Sequence, residues 1–99
     1  MSRQKHIGIW NLPTVSRKEA AAFWNMGVSK WLKRYRDDLG VNIRSFMNLH
    51  QWRYVLVDVL HAAFPEASNH TIHMMALQYL ETRRQARIDA NHASKSRGD

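Results

Sequence analysis

Four breakers divide the first two thirds of this sequence into short pieces. Pro13 and Pro65 each lack a backbone donor and push the preceding residue, Leu12 or Phe64, away from helix. Gly27 and Gly40 stand between them, each free to take the positive φ that ends a helix.

The start of the first piece is well marked. Ser16-Arg17-Lys18-Glu19 reads as a capping box, in which the serine oxygen takes an orphan backbone N–H and the glutamate reaches back. Ala20 to Trp24 suit the helix that follows, and Asn25-Met26-Gly27 breaks it with Gly27 at positive φ. Ser29 is expected to cap a second helix. Val28, Trp31, Leu32, Tyr35 and Leu39 recur at the spacing of one helix face, and Gly40 closes the helix as its C′ residue. Two short helices joined by a glycine-containing turn describe a helix-turn-helix.

Residues 41 to 64 admit two readings. One is a helix capped by Asn48 and running to Phe64. The other is a hairpin, with strands Val41-Asn42-Ile43-Arg44-Ser45-Phe46 and 51–57, followed by a short helix capped by Asp58 and stopped at Pro65. Ser68 or Asn69 caps a last helix to about Asp89, with Ile72, Met75, Ala76, Tyr79 and Leu80 as its stripe. Arg83, Arg84 and Arg87 follow where the helix dipole favours cations. Residues 1–6 are expected to be a flexible basic arm, 7–90 a single domain and 91–99 a disordered polar tail. His6 to Trp10 have the pattern of a short extended piece.

Charge and composition narrow the function classes. The 99 residues include 15 Lys and Arg against 8 Asp and Glu, a formal net charge of +7. So much charge on one small domain points to a polyanionic partner. The absence of cysteine excludes a disulfide scaffold, Cys-ligated zinc and thiol catalysis. No stretch is long and apolar enough for a membrane span, and the start does not read as a signal peptide, so a cytoplasmic protein is expected.

No pattern supports catalysis. Ser16 and Ser29 are explained as caps, Asp37, Asp38 and Asp58 have no partner pattern, and the glycines form no phosphate loop. His70 and His73 share a helix face, but no further ligand stands at a matching offset, so no metal and no cofactor are expected.

Glu19-Ala20-Ala21, Gly27-Val28-Ser29, Arg53-Tyr54 and Asp58-Val59-Leu60 occur in this order over about half the chain. The order resembles the small winged helix-turn-helix proteins of the excisionase and MerR-like group. The chain departs from that pattern by about two extra residues between Ala21 and Gly27, which make Phe23-Trp24-Asn25 an extra part-turn. The resemblance favours the hairpin, as a wing, over the single helix in residues 41–64. It implies DNA binding in regulation or site-specific recombination, without catalysis. The expected fold is therefore mostly α: a winged helix-turn-helix with a small two-stranded hairpin, plus a C-terminal helix.

The candidate site is the second helix. Lys30, Lys33, Arg34 and Arg36 lie off the apolar stripe, where Lys and Arg neutralise phosphates and Arg can read guanine. Ser29 stands with Lys30 near the helix start, where base and phosphate contacts concentrate. Arg17 and Lys18 add cations from the first helix, and Arg44 and Arg53 would add contacts from the wing. Trp24, Trp31 and Tyr35, at helical spacing, are expected in the core rather than as stacking platforms.

The function expected is preferential binding of certain double-stranded DNA sequences, as a small transcriptional regulator or a recombination accessory factor. The alternatives are a protein–protein interaction module, such as an inhibitor from a mobile element, and an RNA-binding protein. Met74 and Leu77 fall on a second face of the last helix. They are open either to a homodimer or cooperative assembly on DNA, or to cover by residues 50–64.

Overall fold

Ser16 opens the first helix of the computed structural model as the capping box requires. Glu19 N–H donates to Ser16 Oγ at 3.2 Å, and Ser16 N–H donates to Glu19 Oε1 at 2.9 Å. The structure describes residues 12–98, with side chains through Asn91. The readings for residues 1–6 and for His6 to Trp10 lie outside the described residues.

Helix α1, Arg17–Ala22, ends in a Schellman turn. Met26 N–H donates to the Ala21 carbonyl and Asn25 N–H to the Ala22 carbonyl. Asn25 takes the left-handed conformation, φ 55°. The break lies within Asn25-Met26-Gly27 as expected, but its left-handed residue is Asn25 and not Gly27. Gly27 is extended, at φ −72°, and serves as the N-cap of α2, Val28–Asp37. The reason is chemical: asparagine tolerates the left-handed region better than other residues with a side chain. Ser29 is consequently inside the helix and makes no cap hydrogen bond.

Helix α2 also stops earlier than its apolar pattern. Asp38 ends it, and Leu39–Val41 forms a 3-10 turn that contains Gly40. Gly40 is needed there for close approach: a Cβ would stand 2.8 Å from the Tyr35 carbonyl oxygen. It is not a left-handed C′ residue.

The region 41–64 forms a hairpin and a short helix. Strand β1 is Thr14–Val15, β2 is Ser45–Asn48 and β3 is Gln51–Val55. All pair antiparallel in the order β1-β3-β2. The sequence reading had two strands, and β1 is the third. A pair of residues carries too little pattern to be read alone. It forms because β3 offers an open edge, with Thr14 opposite Val55 and Val15 opposite Tyr54.

Helix α3, Leu56–Ala63, follows β3 without a loop. Asp58 is not its cap. Val55 is, and the orphan donor of Leu56 is satisfied by the Pro13 carbonyl at 2.9 Å. The helix ends at Phe64, before Pro65.

The core of this part lies beneath the sheet and helices. Val15, Val55, Leu56, Val59 and Leu60 are fully buried. So is Trp31, whose ring meets Tyr54 edge-on at 5.1 Å, Tyr35 at 5.4 Å and Trp24 at 6.0 Å. The Tyr35 hydroxyl reaches the Ile43 carbonyl at 3.3 Å and Ser45 Oγ at 2.8 Å, which ties α2 to the start of β2.

The chain divides into two compact units between Ala67 and Ser68. In the second, Ser68 Oγ accepts from Thr71 N–H at 3.1 Å and opens α4, Asn69–Gly98. The polar composition predicts a helix end near Asp89 and a disordered tail over 91–99. The helical backbone instead runs through Gly98, because no Gly or Pro interrupts residues 69–97. Ile72 and Ala76 are buried, whereas Met74 and Leu77 are exposed. The chain is mostly helical with one small sheet, and no described helix is long and apolar enough to cross a membrane.

Candidate nucleic-acid interface

Helix α2 buries one face and leaves the other charged. With Trp31 fully enclosed, the 100° step per residue turns Ser29, Lys30, Lys33 and Arg36 outward, and all four are exposed. Ser29, Lys33 and Arg36 follow one row at i, i+4 and i+7, with Lys30 on the adjacent row. Lys30, Lys33 and Arg36 form no ion pair among the described residues. Arg34 is different, because its Nε lies 3.5 Å from Asp38. Both partners are well exposed, so this pair adds little stability and leaves Arg34 available to a stronger anion.

The first-helix cations are exposed too and stand at two separate grooves. Lys18 borders the groove lined by Ala22, Met26, Gly27 and Val28, at the start of α2. Arg17 shares a shallow groove with His50, Gln51 and Trp52 near the hairpin tip.

Arg44 and Arg53 are bound within the fold. Arg44 precedes β2 rather than lying in a strand, because pairing begins at Ser45. Its Nε and Nη2 grip the two Asp58 carboxylate oxygens at 2.7 and 3.1 Å, and its backbone N–H adds a third bond at 3.0 Å. The hydrogen bond to Asp58 raises the Arg44 pKa further above its ordinary value. Arg53 donates to Thr14 Oγ1 and to the Thr14 carbonyl, both at 3.1 Å, and so fastens β1 to β3. The acidic partner of Arg44 and the two-residue strand held by Arg53 are contacts across the chain, invisible to local pattern.

The hairpin tip is a feature the sequence reading missed. Asn48 pairs with Gln51, so Leu49 and His50 alone make the turn. Both have positive φ, 50° and 69°, the sign pattern of a type I′ turn. Leucine in this region costs about 1–2 kcal/mol, and Leu49 is also 85% exposed. Met47 and Trp52, opposite one another in the strands, are exposed beside it. The sequence carries no Asn-Gly or Asp-Gly signature here, which is why the turn was not legible.

Replacing Leu49→Asn together with His50→Gly is therefore expected to raise stability by about 1 kcal/mol. The denaturant midpoint of the double variant reads this directly, and a midpoint at or below the parent's would show that the turn holds no such strain.

His70 and His73 are exposed on α4, and among the described residues no group of three or more His, Asp or Glu is placed to hold a metal. No protein-family model, curated protein or solved structure matches this chain.

Proposed function

We propose that this protein binds double-stranded DNA through α2, as a winged helix-turn-helix in which α1 and α2 form the helix pair and β2–β3 the wing. The observation that carries the proposal is the exposed row of Ser29, Lys33 and Arg36 opposite the buried Trp31, with Lys30 exposed on the adjacent row. A rigid helix that presents unpaired cations along one side suits the major groove, where phosphate contacts set register and Arg reads base edges. Lys18 at the start of α2, Arg17 near the hairpin tip and the net charge of +7 support the same reading. The protein acts by binding rather than catalysis, as a small regulator or a recombination accessory factor of the excisionase-like kind.

A protein–protein module is the second reading, favoured by one observation: Met47, Leu49 and Trp52 expose apolar surface around the hairpin tip. RNA is a third candidate partner for the same cations. A salt titration of binding to duplex DNA, with single- and double-stranded RNA as competitors, separates the three. Affinity for duplex that falls steeply with salt and resists RNA competition is the expected result. Preference for RNA, or no salt-dependent binding to either, would overturn the proposal.

A further inference from the structure

Helix α4 carries a second stripe that its buried residues do not use. Met74, Leu77, Glu81, Arg84, Ile88 and Asn91 are spaced alternately by three and four residues, the a/d seam of a heptad pattern. On a helical wheel they occupy an arc of about 100°, centred about 150° from the buried Ile72. Met74, Leu77 and Ile88 are 50%, 49% and 39% exposed, unusual for large apolar side chains sharing one helix face. Glu81 and Arg84 lie between them, joined at 2.6 Å, with both side chains more than half exposed.

The charges on this seam are self-complementary in one orientation only. In a parallel pair, each seam position meets its own counterpart, so Glu81 would face Glu81 and Arg84 would face Arg84. In an antiparallel pair, a positions meet d positions. A two-fold axis passing between Thr82 and Arg83 then sets Glu81 against Arg84 twice, Leu77 against Ile88 twice and Met74 against Asn91 twice. The seam spans about 26 Å. Polar residues at seam positions weaken such a pair but specify its register and direction. We infer that α4 pairs with α4 of a second copy of this chain, antiparallel, with Leu77 packed on Ile88 and Glu81 facing Arg84. This assignment stands whether or not the chain binds DNA.

The absence of cysteine makes the register directly testable. Leu77→Cys and Ile88→Cys are prepared separately, mixed in equal amounts and oxidised at concentrations of tens of micromolar. Antiparallel pairing brings the two different cysteines together, so the mixed disulfide should far exceed the half share that random collision gives. Each variant oxidised alone should cross-link slowly. Both positions are exposed, so folding should survive, and Met74→Cys mixed with Asn91→Cys tests the same register if either fails to fold. Random proportions, a dominant disulfide between two copies of the Leu77→Cys variant, or no cross-link at all would overturn the inference.

Discussion

Trp31→Ala is expected to cost about 3–5 kcal/mol, the range for deleting a large buried aromatic side chain. Trp31 is fully buried and touches three other aromatic rings, so its removal takes away contacts that join α2 to β3 as well as to Trp24. A domain of this size has a total stability of about 5–15 kcal/mol. The variant should therefore melt about 12 °C or more below the parent, or fail to fold. Trp31→Phe should behave quite differently. The indole Nε1 is buried with no hydrogen-bond partner among the described residues, and phenylalanine removes this unpaired donor. That gain offsets the modest cavity left behind, so a net loss below about 1.5 kcal/mol is expected. Thermal and denaturant unfolding of both variants check the pair. A loss for Phe as large as that for Ala would show that the indole's own shape or N–H is required and that the N–H is not an idle donor.

The second large effect concerns binding. Replacing Lys30, Lys33 and Arg36 together by alanine should leave the fold intact, since surface changes shift stability by about 0.5 kcal/mol or less each. Each lost phosphate contact lowers the log–log salt slope by about 0.9. The triple variant should therefore lose about 2.7 in slope, and on the order of a hundredfold in affinity for duplex DNA at physiological salt. Arg53→Ala provides the contrast. Its guanidinium is spent on Thr14, so its loss should lower the melting temperature and leave the slope nearly unchanged. Fluorescence anisotropy at several salt concentrations measures both. A triple variant that binds with parental affinity and slope would remove α2 from the interface, whatever the rest of the chain does.

How far the structure was legible varied with the range of the interactions. The capping box at Ser16 was readable, and the cap of α4 narrowed to Ser68 or Asn69, because the groups that meet are three residues apart. The stripe through Trp31 was readable because Val28, Leu32 and Tyr35, half-buried beside the enclosed Trp31, recur with the helical period. The exposed cations of α2 follow from that stripe by geometry alone. The end of α4 was misread because polar composition does not stop a helix, whereas Gly and Pro do.

The sequence by itself determined the starts of α1 and α4, the stop before Pro65 and which side of α2 is apolar, since each depends on backbone chemistry within a few residues. It did not determine the starts of α2 and α3, which fall at Gly27 and Val55 and not at Ser29 and Asp58. Only the tertiary structure decided between helix and hairpin for residues 41–64. That choice turns on pairing partners: Thr14 opposite Val55, and Ser45 opposite Tyr54. The same holds for the arginines. Composition counts Arg44 and Arg53 alike with Lys33 and Arg36, yet Asp58 takes the first and Thr14 the second. A local pattern records what a side chain can do. Which of its options is used depends on groups that folding brings near, 14 residues away for Arg44 and 39 for Arg53.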